Sequence, residues 1–288
     1  MGVISAKLGK ISTDGTNAQS TVRNVRIAYT SRNALGKASG ANQGMQFGVG
    51  GVTDFTGSFE FYGKAVPIFP GSSAAGDTTL VVFTGSERIT GTIIVESTSI
   101  RCDIEGGGML SGVCNFAANG ALTFSSSTTA LTDTNTPNAF AGKLGKARFG
   151  TPASPPVYAD IAGVRSWDLD LRCELKPYNM AENAGVTKRV AGPLSASASV
   201  SMYEGTPSVL VTSASLPNNL GALELFVDAT TFYELRWVIV GESSPDIPIE
   251  GGEPTSHTQR FDYSGYIPIA GTQTVGYIHK PGAVALWP

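Results

Sequence analysis

Two stretches of this chain repeat one another, and that repeat limits the possible folds more than any other feature. Lys7-Leu8-Gly9-Lys10 recurs as Lys143-Leu144-Gly145-Lys146, and the segment that follows opens with Val25-Arg26 in one half and Val164-Arg165 in the other. Ile104-Glu105-Gly106-Gly107 is followed by Phe116 and Gly120; Ile249-Glu250-Gly251-Gly252 is followed by Phe261 and Gly265 at the same spacing. Ordered matches with a drifting offset indicate one folding unit written twice, with insertions taken up in loops. The expected organisation is a first domain over 1–124, a linker over 125–138, a second domain over 139–267 and a C-terminal arm over 268–288. The linker is rich in Ser, Thr and Asn and holds Pro137, a composition that does not pack.

Each half reads as strands. From 165 to 175, Trp167, Leu169, Leu171, Cys173 and Leu175 alternate with Ser166, Asp168, Asp170, Arg172 and Glu174, the period of a half-buried strand. The run 194–203 sets Leu194, Ala196, Ala198, Val200 and Met202 against serines, and its counterpart 55–62 sets Phe55, Gly57, Phe59 and Phe61 against Thr56, Ser58, Glu60 and Tyr62. Further strands are expected at 80–83 and 223–227, and at 93–96 and 237–240. Short strands between Gly and Pro turns predict an all-β chain, a sandwich or barrel in each half. Between its first two strands each half carries a long segment, 32–51 and 176–192. Such loops are uncommon in compact domains unless they are functional or disordered.

The residues argue against several kinds of chemistry. A formal net charge of −3 gives no general affinity for a phosphate backbone. Neither the opening MGVISAKLGK nor any later stretch provides a long apolar segment, so no membrane span is expected and the chain is expected to fold in the cytoplasm where it is made. Cys102, Cys114 and Cys173 lack CxxC spacing and are expected to be small buried hydrophobes. His257 and His279 have no companion ligands at metal spacing, and a hydrolase would have to recruit one of them. Gly106-Gly107-Gly108 lacks the Lys and Ser/Thr of a P-loop and reads as a turn between strands. Asp168 and Asp170 alternate on an exposed strand face, where a shifted pKa is not expected. No catalytic, metal or cofactor site is assigned. The apolar residues Tyr277, Ile278, Leu286 and Trp287 make the C-terminal arm a candidate for docking on a neighbour or for completing its own domain.

The order of features resembles the tail tube, or major tail, protein family of long-tailed bacteriophages. The resemblance lies in Gly163-Val164-Arg165-Ser166-Trp167-Asp168-Leu169, in Asp54-Phe55-Thr56-Gly57-Ser58-Phe59, and in the closing stretch 116–122. It implies a β-sandwich whose subunits continue their sheets into a common inner barrel, with rings stacked into a tube that conducts DNA without binding it specifically. Two joined domains then predict a three-membered ring of approximate six-fold symmetry, because closure removes every sheet edge. The long segments become inter-ring loops, with Arg32, Asn33, Lys37, Asn42, Met45 and Phe47 in the first half and Lys176, Tyr178, Met180, Glu182, Lys188 and Arg189 in the second. Implied partners are further copies of the chain and the tape measure, terminator and baseplate proteins of a virion assembled in the bacterial cytoplasm. Two other readings stand beside this one: a capsid decoration or baseplate protein, and a tandem carbohydrate-binding module using Tyr62, Tyr203 or Tyr233.

Overall fold

The computed structural model describes residues 9–13, 22–31, 34–37, 46–49, 51–63, 77–127, 129, 131–132, 142–151, 157–179, 185–203, 220–229, 231–246, 254–263, 266–269 and 272–275. These form strands almost throughout. In the first half they are β1 (Lys10–Ser12), β2 (Val22–Ser31), β3 (Ala34–Lys37), β4 (Gln46–Val49), β5 (Thr53–Tyr62), β6 (Asp77–Phe83), β7 (Glu87–Asp103), β8 (Ser111–Ala118) and β9 (Thr123–Ser126). After a 3₁₀ turn at Gly142–Leu144 come β10 (Lys146–Thr151), β11 (Val157–Asp160), β12 (Val164–Tyr178), β13 (Lys188–Tyr203), β14 (Leu220–Phe226), β15 (Phe232–Asp246), β16 (Ser256–Tyr263), β17 (Tyr266–Ile269) and β18 (Thr272–Val275). The all-β expectation holds.

One antiparallel sheet runs through both halves in the order β11-β10-β14-β15-β16-β13-β12-β7-β8-β5-β2, with β6 and β9 also on β7 and β1 on β6. The same ladder is built twice: β1-β6-β7-β8-β5-β2 in the first half and β10-β14-β15-β16-β13-β12 in the second. Bulges fall in matching places, between Val22 and Asn24 and between Val164 and Ser166. A second matched pair lies between Val95 and Ser97 and between Val240 and Ser243. Lys10 faces Phe83 as Lys146 faces Phe226. The register corrects one match made on sequence. Val22-Arg23, not Val25-Arg26, occupies the place of Val164-Arg165, and Val25, opposite Phe59, takes the place of Trp167, opposite Val200. Because β2 contains the Val-Arg dipeptide twice, sequence alone could not separate the two registers.

Alternation puts apolar side chains on one face, and the ladder folds that face onto itself. Ile11, Leu80 and Val82 of the β1-β6 arm share a core with Phe59, Phe61 and Phe116 of β5 and β8, and the cluster continues into Trp167, Leu169, Val200, Tyr233 and Phe261 of the second half. The bulge in β7 lets one 17-residue strand serve both arms. Gly57 must be glycine for reasons of space: a Cβ there would lie 2.4 Å from the Phe116 ring and 2.5 Å from the Arg26 carbonyl oxygen. Leu194, expected inside, is 37% exposed: it pairs with Cys173 immediately beside the irregularity where the register of β12 and β13 shifts.

The long segments are more ordered than the sequence reading expects. β12 runs on to Tyr178 and β13 starts at Lys188, so residues 176–178 and 188–191 belong to a hairpin ladder. In the first half β3 and β4 pair as a separate hairpin. The polar stretch 125–138 also packs in part, with Ser125 and Ser126 in β9 and Leu131 buried against Val81 and Phe83. In the arm, the backbone of 268–269 and 272–275 forms part of the β17–β18 hairpin. Tyr277, Ile278, Leu286 and Trp287 lie outside the described residues.

Candidate assembly interface

The two halves meet where β12 adds to the C-terminal part of β7, from Ser166 opposite Asp103 to Arg172 opposite Ser97. Seen from the core, Trp167, Leu169 and Leu171 lie beside Cys102, Ile100 and Thr98, and all six are buried. The Trp167 indole Nε1–H donates to the Phe226 carbonyl oxygen at 3.2 Å, and its ring meets Tyr233 edge-on at 6.0 Å. Burial of side chains this large is worth about 1.5–3 kcal/mol each.

The outer face of the same junction is polar. Arg101 on β7 sits opposite Asp168 on β12, with Nε and Oδ1 3.9 Å apart. Ser99 donates to Asp170, and Ser199 donates to Asp168 at 3.5 Å. Burial raises the Asp168 carboxyl above its ordinary value; Arg101 opposes the shift and Asp170 adds to it. This corrects the expectation of an unshifted group. β7 and β13 flank Asp168, and its side chain is only 43% exposed. Both aspartates are held by hydroxyls or by Arg101.

At the end of the junction the turn after β7 brings in Glu105, which accepts from Arg165 Nε at 2.6 Å and from the Tyr203 hydroxyl. Arg165 also lies over the Tyr203 ring, 4.7 Å from its centre. Tyr203 and then Arg165 hold the Glu105 carboxyl below its ordinary value. Asp103 accepts from the Gly106 amide at 2.9 Å, and Gly107 has φ +62°, so this Gly-rich stretch is the turn expected of it.

A second contact locks the β12–β13 hairpin onto the first half. Thr187 donates to the Thr53 carbonyl oxygen at 2.9 Å and Thr53 donates to that of Gly185 at 2.7 Å. Arg189 donates to both Asp54 carboxylate oxygens at 2.6 Å and to the Ala118 carbonyl oxygen at 2.7 Å, while its backbone amide donates to Asn119. The guanidinium is almost wholly buried, with Nη2 on the carboxylate and Nη1 on the Ala118 carbonyl oxygen, a division of donors between two nitrogens that Lys lacks.

The sequence-nominated loop residues are therefore scattered. Lys176, Tyr178 and Lys188 lie on the hairpin ladder, and Arg189 is committed inside the chain. Lys37 and Phe47 fall on β3 and β4. Arg32, Asn33, Asn42, Met45, Met180 and Glu182 lie outside the described residues. Sequence reading missed Arg101, Asp168, Glu105, Arg165 and Arg189 as junction residues. Glu105 and Arg165 could have been found, because both sit in segments that the chain repeats.

Other chemistry has little footing. The three thiols are buried, and burial pushes those of Cys102 and Cys114 up to about 12, so they are poor nucleophiles. Among the described residues no group of three or more His, Cys, Asp or Glu is disposed to hold a metal. No described helix is long and apolar enough to cross a membrane. Tyr233, offered as a sugar platform, is fully buried, and the rings of Tyr62 and Tyr203 carry Arg23 and Arg165. A buried polar cluster on β11, β14 and β15 has Tyr158 donating to Glu234 at 2.6 Å and Arg236 3.6 Å from the same carboxylate.

No protein-family model matches the chain, and no curated protein does. Among solved structures, one similar chain belongs to the virion of a native gene transfer agent particle, with a TM-score of 0.35 and 16% identity over 43% of this chain and 99% of that one. A likeness of that size sets neither fold nor function.

Proposed function

We propose that this chain is a structural virion protein, the subunit of a phage-type tail tube, in which two tandem tube domains per chain assemble as three-membered rings that stack into a DNA-conducting channel. The observation that carries the reading is the β7–β12 junction, where one half's sheet continues into the other's through seven residue pairs. Such a junction is the repeating step of a closed barrel. Its outer face, with Ser97, Ser99 and Ser166 among Asp103, Asp168 and Asp170 and with Arg101 and Arg172 outweighed by these carboxylates, suits a channel wall along which DNA slides without capture. The hairpin β3–β4 would reach towards adjacent rings, and tape measure, terminator and baseplate proteins would cap or fill the tube. Electron microscopy of the purified chain tests this. Rings with three-fold symmetry and stacked tubes are expected; monomers at every concentration, with no rings in particles, would refute it.

A further inference from the structure

We infer that the free edge of β2 is the socket for the free edge of β15 on a second copy of this chain, in the register of β7 on β12 and with that junction's ion pair reversed as Arg26 against Asp246. The inference deepens the tube reading and rests on it.

Among the described residues both edges are open: β2 pairs with β5 alone, and residues 243–246 of β15 pair with β16 alone. An unpaired strand edge is a template for another strand, and proteins that stay monomeric blunt it or cover it. In the second half the place of β2 is taken by β12, whose edge is covered by β7. In the first half the place of β15 is taken by β7, whose edge is covered by β12. The chain thus holds one completed junction and the two separated halves of another.

The repeated ladder fixes which residues would meet. Arg101 and Asp246 are equivalent, facing Ser111 and Ser256, which stand equally far ahead of Phe116 and Phe261. Arg26 and Asp168 are equivalent, facing Ser58 and Ser199. Placing β15 on β2 as β7 lies on β12 therefore sets Asp246 opposite Arg26, Ser244 opposite Ala28 and Ser243 opposite Tyr29. Pro245 falls opposite Ile27 and withholds at most one donor from the ladder. Arg26 and Asp246 are both exposed, and among the described residues neither forms an ion pair.

The reversal has a consequence beyond attraction. A β15 edge that invaded another chain's β12 would set Asp246 against Asp168, and a β7 edge on β2 would set Arg101 against Arg26. Like charges directly opposite each other disfavour both errors and bias the halves to alternate around the ring. The site on β2 is also partly built. Arg23 donates to the Tyr62 hydroxyl and lies 5.6 Å from the centre of its ring, as Arg165 lies on Tyr203. The carboxylate that completes the second group is Glu105. Its sequence counterpart in the repeat is Glu250, which lies outside the described residues.

The test is a charge exchange read by mass photometry and electron microscopy on the full chain. Arg26→Asp and Asp246→Arg should each raise the concentration for half-assembly roughly tenfold, and the double exchange should bring it back to within about threefold of the parent. The double exchange reproduces the polarity of the internal junction. As a second readout, Arg26→Cys combined with Asp246→Cys should form interchain disulfides on oxidation, while neither single variant should. Three outcomes overturn the pairing: ring assembly of the parent unaffected by either reversal, no rescue in the double exchange, or efficient dimer formation by Arg26→Cys alone, which signals β2 against β2. In each case the tube reading survives as long as rings persist. A parent chain that stays monomeric overturns both.

Discussion

Strands β12 and β2 hold the same place in the two halves but differ in what surrounds them. On β12, Trp167, Leu169 and Leu171 are sealed beneath the completed junction with β7. Their counterparts on β2 are Val25 and Ile27, partly buried, and Tyr29, which is 63% exposed. Both strands have an alternating pattern, a neighbour on one side and a bulge in the same place. What separates them among the described residues is the presence of another sheet edge, which the proposed ring contact would supply to the first half.

The comparison is broken most strongly by truncating β12. Trp167→Ala should destabilise the isolated chain by about 3–5 kcal/mol in urea denaturation, whereas Val25→Ala at the matching place should cost about 1 kcal/mol. A Val25→Ala loss of about 2 kcal/mol or more, the size for a fully buried side chain, would mean that β2 is already covered. Next in size is the hairpin lock. Arg189→Ala leaves Asp54 without its guanidinium partner, and because Asp54 is 29% exposed the expected loss is about 2 kcal/mol, below the range for a fully buried pair. Tyr29→Ala should change the melting of the isolated chain by less than about 0.5 kcal/mol while weakening assembly. An effect confined to the monomer would count against the proposed edge.

The smallest effects are those of pH, and they have opposite signs on the one junction. Asp168 has a raised folded-state pKa, so the folded state holds its proton more tightly. Its contribution to stability therefore falls as pH rises above the ordinary Asp range. Glu105 has a lowered one, so its contribution is present above the ordinary Glu range and is lost as pH falls through the folded value. Carboxyl NMR titration should find Asp168 above and Glu105 below ordinary values. Asp168→Asn should remove the first dependence and leave the second.

Much of this fold was legible in the sequence. Strict alternation placed β5, β12 and β13, and the repeated Ile-Glu-Gly-Gly and Phe spacing aligned the ends of both halves. β7 was seen only at 93–96, because the bulge after Val95 resets the period: Ile93, Ile94 and Val95 are all buried, and alternation resumes with Thr98, Ile100 and Cys102 inside. Which strand meets which across the halves was not legible, since period two tells a strand its faces and says nothing of its neighbours. Arg189 and Leu131 were misread for one reason. A charged residue in a loop-like run and a leucine in a polar one look exposed until a distant element supplies Asp54 or Phe83.

Hydrogen exchange on β2 and β12, compared between dilute chain and assembled protein, tests the central claim most directly. The amides of residues 26–29 that face the open edge should exchange quickly in the dilute chain and become protected on assembly, whereas those of residues 166–172 within the junction should be protected in both. Assembly that leaves β2 exchanging at its dilute-chain rate would contradict the account.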